Sequence, residues 1–235
     1  MEELKDKTAA LSNFLSKLLR DNFGKGPEGV YVSIANKYIT FHVRKFMSPT
    51  EKILLRKRQD SLLQETRDLV MQDLIPEIKA NILHMCKMEV QEFYYDWDLH
   101  NKSAIFVAVT SEETKSDYPV TQHYPGKMNL EKEVVHISRT VQKTPDYIES
   151  FFLNSRTLLV IRQGILVSIE KELIRDGLQE KLKLTKRKME KTHFHSNSHF
   201  EENLGTSVHD IFVDWDFDRD KSLIVFITNP LSVNE

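Results

Sequence analysis

The chain has 235 residues, of which 40% are hydrophobic and 29% are charged, and it is long enough for one large domain or two ordinary ones. With 7 Gly, 7 Pro and 1 Cys, its composition excludes collagen-like, mucin-like and disulfide-scaffold proteins. The formal net charge of −2 gives no overall attraction to nucleic acid or to an anionic membrane.

The first predicted element is an amphipathic helix, because apolar residues recur at three- and four-residue spacing from Leu4 to Leu19. We expect it to end at residues 23–27, Phe-Gly-Lys-Gly-Pro, where glycine can adopt the left-handed conformation and proline prevents continuation. Apolar and polar residues then alternate over residues 30–34 and again over 39–43. These two runs predict a β-hairpin.

A long helix is predicted next. Its start is marked by Ser48-Pro49-Thr50-Glu51, which combines a serine cap, a proline at the first helical position and a glutamate three residues after the cap. Pro76 is expected to kink or interrupt this helix. Two strands, residues 90–97 and 104–109, follow it. The expected buried stripe of the helix consists of Leu55, Leu62, Thr66, Leu69 and Leu74.

The second half of the chain repeats the first. Residues 90–99 read Val-Gln-Glu-Phe-Tyr-Tyr-Asp-Trp-Asp-Leu and align with residues 208–217, Val-His-Asp-Ile-Phe-Val-Asp-Trp-Asp-Phe, at an offset of 118. The same offset pairs Arg44 with Arg162, and one residue inserted after the second Asp-Trp-Asp triplet then pairs Lys102 with Lys221. This register predicts a tandem duplication.

The duplication sets the expected domains: unit 1 at residues 1–110, a linker at 111–128 and a degenerate unit 2 at 129–235. In the second unit, a helix is predicted at 130–141, strands at 147–153 and 157–162, a long helix at 166–191 and a hairpin at 208–228. The predicted fold class is α+β, with two tandem α-β-β-α-β-β units. Each unit would be a mostly antiparallel four-stranded sheet with helices on one face.

The turn Gly24-Lys25-Gly26 is the first candidate site, because backbone amides and a lysine can bind an anion. The turn also suits a helix C-cap, and it lies at a helix C-terminus, where the dipole disfavours anions. Both glycines are absent from the second copy, Gln142-Lys143-Thr144. The cap interpretation is therefore favoured, with ligand binding as the alternative.

Asp96 and Asp98 are the second candidate, together with their repeats Asp214 and Asp216. Residues two apart on a strand project to the same side, and paired carboxylates can bind a hard cation or act as acid and base. The structural alternative places the intervening tryptophan in the core and the carboxylates in water. No catalytic residue or metal ligand is assigned from this pattern.

Two further patterns are interpreted as surface features. His193, His195 and His199 lie in a segment rich in Ser and Asn, which favours a polar loop over a metal site. The basic run at residues 181–191 is expected to be the solvated face of the long helix, with a partner, lipid or nucleic-acid patch as the alternative. We therefore expect no cofactor, no metal and no bound nucleic acid.

Three segments resemble the MpsC family, which is bacterial and named for a Na+-translocating membrane-potential-generating system. They are residues 18–27, Leu-Leu-Arg-Asp-Asn-Phe-Gly-Lys-Gly-Pro; residues 69–78, Leu-Val-Met-Gln-Asp-Leu-Ile-Pro-Glu-Ile; and residues 90–98, Val-Gln-Glu-Phe-Tyr-Tyr-Asp-Trp-Asp. The resemblance covers the first copy closely. In the second copy, the glycine turn and the proline at position 76 are replaced.

The resemblance implies a soluble component of a membrane system linked to sodium and bicarbonate, with a membrane transporter subunit as partner and no established catalytic residues. We expect a non-enzymatic accessory or regulatory protein whose two units form an intramolecular pseudo-dimer. The alternative is a small-molecule or metal-dependent enzyme that uses the Asp-Trp-Asp carboxylates. Ligand-binding candidates are Gly24, Lys25, Gly26, Asp96 and Asp98.

The expected location is the cytoplasm, with a peripheral membrane association as a further expectation. The single thiol, Cys86, is typical of a reducing compartment because it cannot form an intramolecular disulfide. The longest apolar runs, residues 104–109 and 223–227, are too short for a transmembrane segment. The first residues, Met-Glu-Glu-Leu-Lys-Asp, lack the basic and apolar regions of a signal peptide.

Overall fold

A computed structural model of the chain describes residues 2–114, 120–197 and 199–230. The chain divides into two compact units, residues 1–119 and 120–235. Each unit combines helices with an antiparallel sheet, which confirms the predicted α+β fold class. Among the described residues, no helix has the length and apolar composition needed to cross a bilayer.

Unit 1 begins with a helix whose buried positions, Leu11, Leu15, Leu18 and Leu19, follow the predicted spacing. Its strands are antiparallel in the order β1-β3-β2. β3 extends to Thr114, so its last residues lie within the segment predicted to be linker. The elements of unit 1 are α1 Glu2–Phe23, β1 Gly29–Arg44, α2 Pro49–Arg56, α3 Asp60–Cys86, β2 Val90–Asp98 and β3 Ser103–Thr114.

The predicted first hairpin lies inside β1, because the chain reverses direction within that element. The Glu28 amide donates to the Arg44 carbonyl at 3.0 Å, and the rings of Tyr31 and His42 have centroids 6.3 Å apart. In a straight strand, eleven residues would separate those rings by about 36 Å. Asn36 takes the left-handed conformation at the reversal, with φ 52°. Counting both arms of β1, the sheet has the four predicted segments.

The predicted long helix of unit 1 is interrupted, but not at Pro76. α2 ends at Arg56 and α3 begins at Asp60, with Arg58 at φ 57° between them. α3 continues through Pro76, so the expected interruption there is wrong. Proline removes the donor for the carbonyl of Gln72, and both residues are exposed, where solvent can satisfy that carbonyl.

The buried face of α3 also differs from the predicted stripe. Leu62 and Leu69 are 48% and 64% exposed and Thr66 is also exposed, so three of the five predicted stripe positions are wrong. Two charged residues, Arg67 and Asp68, lie on the buried face and break its apolar period, which is why the outward leucines gave the clearer pattern. The buried residues of α3 are Leu63, Arg67, Asp68, Met71, Leu74, Ile78, Ile82 and Cys86.

Unit 2 has a four-stranded antiparallel sheet in the order β4-β5-β7-β6. Its predicted long helix, residues 166–191, is interrupted at Gly177, whose φ is 76°. The elements of unit 2 are α4 Lys127–Val141, β4 Tyr147–Asn154, β5 Thr157–Gln163, α5 Ser168–Arg175, α6 Gln179–His195, α7 His199–Leu204, β6 Val208–Asp216 and β7 Lys221–Thr228.

The last hairpins of the two units have equal length. Asp98 pairs with Ser103 in unit 1, and Asp216 pairs with Lys221 in unit 2, at a constant offset of 118. Lys102 and Asp220, the residues before β3 and β7, both have positive φ. The insertion predicted after the second Asp-Trp-Asp triplet is therefore wrong.

The extra residue of unit 2 lies in its first hairpin instead. The amide of Glu28 donates to the carbonyl of Arg44, whereas the equivalent Asp146 amide donates to Gln163, one position further along. Arg162 is consequently equivalent to Val43 and not to Arg44. From here to α6 the offset is 119, which aligns Gly177 with Arg58, both at positive φ.

Candidate functional site

The turn at Gly24 has the conformation that the sequence predicts for a helix cap. α1 ends at Phe23, and Gly24 follows with φ 72°. Lys25 is exposed, and a Cβ built on Gly26 would lie 3.0 Å from Nε of Arg20. The turn thus closes the helix, and ligand binding by Gly24, Lys25 and Gly26 stays a prediction.

Three of the four Asp-Trp-Asp carboxylates, those of Asp96, Asp98 and Asp214, are buried, contrary to the structural alternative that places them in water, and Asp216 is half-buried. Asp96 is 0% and Asp98 5% exposed. Asp96 accepts a hydrogen bond from the amide of Trp97, and Asp98 accepts one from the amide of Asn101, which closes the turn after β2. These contacts are those of turn residues, and ligand binding by Asp96 and Asp98 stays a prediction.

The basic run on α6 is not one solvated face. Lys186 and Arg187 are buried, and Nζ of Lys183 lies 2.8 Å from the carboxylate of Asp214. Lys181 and Lys188 are exposed. The run is therefore split between the interior and the surface, since residues two or five apart on a helix lie on different sides of it.

A cluster around Trp97 is the principal buried charged site of unit 1. Arg67, 1% exposed, donates from Nε and Nη2 to the carboxylate of Glu51 at 2.7 and 3.1 Å, and from Nη2 to the carbonyl of Phe46 at 3.0 Å. Its guanidinium lies 4.5 Å from the Trp97 ring centroid and 5.0 Å from that of Phe46. We call Glu51, Arg67, Phe46 and Trp97 the Trp97 cluster.

Glu51 has a double function in this cluster, because it also caps α2. Its carboxylate accepts from the amide of Ser48 at 2.7 Å, and its own amide donates to the hydroxyl of Ser48 at 3.3 Å, which confirms the predicted capping box. Burial raises the pKa of Glu51, but the hydrogen bonds and charge of Arg67, with the bonds from Ser48, outweigh it and lower the pKa below 4.5.

Unit 2 repeats this arrangement, at an offset of 119 for the two helix residues and of 118 for the tryptophan. Nζ of Lys186 lies 2.9 Å from the carboxylate of Glu170 and 5.2 Å from the ring centroid of Trp215. Glu170 accepts from the amide of Val167, just as Glu51 accepts from Ser48. We call Glu170, Lys186 and Trp215 the Trp215 cluster. In both units, a cationic side chain on a helix thus pairs with the carboxylate that caps the preceding helix. The same cation also lies over the tryptophan of the Asp-Trp-Asp triplet.

A second buried polar cluster adjoins Lys186 in unit 2. Arg162 donates to Glu190 at 2.7 Å and to the hydroxyls of Ser138 and Ser222, each at 2.8 Å. These four residues are at most 1% exposed, and we call them the Arg162 cluster. Glu190 lies 4.0 Å from Lys186. Burial lowers the pKa of Lys186, against the opposing charges of Glu190 and Glu170.

The sequence did contain a signal for these clusters. Glu51 with Arg67 and Glu170 with Lys186 have the same separation of 16 residues, with the tryptophan about 30 residues later in each copy. Sequence analysis missed it because a single arginine inside an apolar helix face resembles a surface residue. Only the tertiary structure shows that Arg67 and Lys186 are buried.

The histidines lie at the end of α6 and the start of α7, so the predicted polar loop is shorter than expected. Nδ1 of His199 lies 3.7 Å from the carboxylate of Glu133. Within the described ranges, no group of three or more His, Cys, Asp or Glu residues is arranged to hold a metal ion.

Comparison with known proteins identifies one family. A family model described as "Na+-translocating membrane potential-generating system (MpsC)" matches residues 4–112 and, separately, residues 129–229. Neither the curated proteins nor the solved structures gave a match. The first matched segment lies within unit 1 and the second within unit 2, so the same family pattern occurs once in each unit.

Proposed function

The chain belongs to the MpsC family, and we propose that it is a non-enzymatic accessory or regulatory component of a bacterial membrane system that handles sodium and bicarbonate. We place it in the cytoplasm, peripheral to the membrane, with an integral transporter subunit as its partner. The single observation that carries the proposal is the family match over both units.

The contacts of the buried charges support a non-enzymatic role. Arg67 and Lys186 are each paired with a capping carboxylate, and Arg162 is paired with Glu190. Each of these cations is at most 1% exposed, so a substrate in solution has little access to it. Paired, inaccessible charges are typical of residues that fix a fold.

The enzyme alternative depends on the Asp-Trp-Asp carboxylates, and their contacts favour structure over chemistry. Asp98 and Asp216 each accept a hydrogen bond from the amide three residues later, at Asn101 and Arg219. A carboxylate that closes a turn in this way stabilises the conformation of the backbone. We therefore place the accessory role first.

Affinity capture of the tagged full chain from its native cells, in mild detergent, tests the proposal. Mass spectrometry is expected to identify an integral membrane transporter subunit at a fixed stoichiometry. Deleting the gene should abolish the Na+-dependent part of the membrane potential, measured with a potential-sensitive dye, and the wild-type chain should restore it.

Two results would contradict the proposal. One is an unchanged Na+-dependent potential in the deletion strain together with capture of the chain without a membrane partner. The other is stoichiometric bound metal in untagged protein that is lost in an Asp96→Asn plus Asp98→Asn variant, which would favour the enzyme alternative. The variant Lys52→Glu, at an exposed position, is the control in the affinity capture and in the metal analysis.

A further inference from the structure

The outward face of α3 carries a regular row of large apolar side chains. Leu62, Leu69 and Leu83 are 48%, 64% and 49% exposed, and Pro76, also exposed, completes the row at intervals of seven residues. We call these four residues the α3 stripe. Since a helix turns every 3.6 residues, positions seven apart stay on one side, and the stripe is about 31 Å long.

The α3 stripe has the pattern of a helix–helix contact. Exposed leucines scattered singly need no explanation, but exposed apolar side chains aligned on one side of a helix are typical of an interaction surface. The stripe is flanked by exposed carboxylates, Asp73 and Glu77. A partner that fits this face would therefore be a helix with an apolar stripe and a basic flank.

The chain itself contains such a helix. Leu178, the N-cap residue of α6, is 47% exposed, and Met189 on α6 is 36% exposed, with half-buried Leu182 on the same side. Lys181 and Lys188 are exposed beside this row, on one flank of the helix. We call these five residues the α6 face. With 17 residues, α6 is about 25 Å long and can cover most of the α3 stripe.

We propose that the α3 stripe of one chain docks against the α6 face of a second copy of the same chain. Apolar side chains meet along the seam, while the carboxylates of Asp73 and Glu77 lie near the ammonium groups of Lys181 and Lys188. The complementary charges select this pairing, because two α3 faces would bring carboxylates together and two α6 faces would bring ammonium groups together.

The internal alignment explains why the two faces differ. At the offset of 119, Leu62 and Leu69 correspond to Lys181 and Lys188. The duplicated helices therefore present opposite surfaces at equivalent positions, one apolar and acidic, the other basic. A single unit could pair only like with like, whereas the duplicated chain carries both complementary faces. This inference is independent of the proposed membrane function.

Sedimentation velocity on the full chain over a range of concentrations tests the proposal. The wild type is expected to self-associate reversibly at low ionic strength and more weakly at high salt. Leu69→Lys should weaken self-association by about tenfold or more, because it places an ammonium group in the apolar seam. Lys52→Glu and Glu89→Lys, on exposed positions elsewhere, should leave it unchanged.

A charge exchange gives the sharper result. Glu77→Lys and Lys188→Glu should each weaken self-association, because each brings like charges together. Mixing the two variants should restore association, since the altered α3 face of the first then meets the altered α6 face of the second. Restoration on mixing would also show that both variants are folded.

Three outcomes would overturn the proposal. The wild type could remain monomeric at every concentration and at low salt. Its association could be unaffected by Leu69→Lys, which would place the contact elsewhere. Finally, the charge variants could leave the sedimentation unchanged and instead alter binding to vesicles containing anionic phospholipid, which would identify the α6 face as a membrane-binding surface.

Discussion

At four equivalent core positions, the two units bury different kinds of side chain, apolar in unit 1 and polar or charged in unit 2. In unit 1, these positions hold Leu19, Val43, Met71 and Ala104, all fully buried in the core. In unit 2, they hold Ser138, Arg162, Glu190 and Ser222, the Arg162 cluster, which is linked by hydrogen bonds. The strand registers make Val43 equivalent to Arg162 and Ala104 to Ser222, because each pair faces the other across the sheet. Met71 corresponds to Glu190 at the offset of 119. The same offset superimposes the buried positions of α4 on those of α1, which makes Leu19 equivalent to Ser138.

The comparison teaches that this core tolerates charge only as a complete set. A buried arginine or glutamate without a partner is costly, whereas in unit 2 Arg162 donates hydrogen bonds to all three of the other polar residues. An apolar set of similar volume fills the same space in unit 1. The two sets are alternatives, and we expect mixtures of them to be unstable.

The cation over the tryptophan differs in a related way. Arg67 has three aromatic neighbours, Phe23, Phe46 and Trp97, and a bidentate hydrogen bond to Glu51. At the Phe46 position, unit 2 has Ile165, and its cation is a lysine, which bonds as a point charge. In unit 2, the carboxylate of Glu190 also lies near Lys186, so carboxylates surround this cation where aromatic rings surround the arginine of unit 1.

The largest expected effect is that of Glu190→Met, which introduces one unit 1 residue into the polar set. Arg162 then loses its carboxylate in a buried position, and the free energy of unfolding of unit 2 should fall by about 3–5 kcal/mol. Hydrogen exchange of the β5 and β7 amides measures the stability of unit 2, and exchange of the α1 and β2 amides measures that of unit 1. Glu180→Met, exposed on the same helix, is the control. An equal effect of the two variants would contradict the prediction.

A smaller effect is expected for Arg67→Lys. The positive charge over Trp97 is kept, but the second hydrogen bond to Glu51 and the planar stacking are lost, so unit 1 should be destabilised by about 1–3 kcal/mol. Urea unfolding followed by hydrogen exchange in α3 measures the change. The converse Lys186→Arg should not produce a similar loss in unit 2. Equal losses would show that the aromatic enclosure of Arg67 has no energetic role.

The pH dependence of unit 1 should show the contribution of Glu51. Its pKa in the folded chain is below the ordinary value of 4.5, so the unfolded chain binds the proton first as the pH falls. The stabilisation is fully present above pH 4.5 and is lost as the pH falls through the folded pKa. We expect wild type and Glu51→Gln to differ in unfolding free energy at neutral pH and to converge in acid. With exposed Glu89→Gln as the control, a difference that persists unchanged in acid would refute this.

The smallest net effect is expected when the whole set is exchanged. Ser138→Leu, Arg162→Val, Glu190→Met and Ser222→Ala together give unit 2 the core of unit 1. Since buried ion pairs replaced by packed apolar groups are often neutral or stabilising, unit 2 should unfold within about 1 kcal/mol of wild type or be more stable. Thermal and urea unfolding of the full chain measure this. A loss as large as that of Glu190→Met alone would show that the four positions are not interchangeable sets.

Local signals in the sequence predicted much of the fold. Ser48 and Glu51 form the expected capping box, Gly24 ends α1 in the left-handed conformation, and the alternating runs around Asn36 form a hairpin. Each of these depends on residues a few positions apart. The duplication was visible because its two tryptophans and their neighbours have a fixed register.

Two of the errors arose where a helix buries charged residues. Leu62 and Leu69 gave the clearest period on α3, but the helix buries the side that contains Arg67. The basic run of α6 looked like a solvated face, yet Lys186 and Arg187 lie inside. In both helices, the hydrophobic pattern alone favoured the wrong side, because a paired charge counts as polar even when it is buried.

The sequence alone therefore determined the repeat, the order of elements, the α+β class and the family resemblance, since these follow from local spacing and from the likeness of one half to the other. Only the tertiary structure decided which helix face is buried and which charges are paired. Glu51 and Arg67 meet only when α2 packs against α3, and the favourable energy of a buried ion pair exists only once its partner is within hydrogen-bond distance. No pattern within a single helix contains that information.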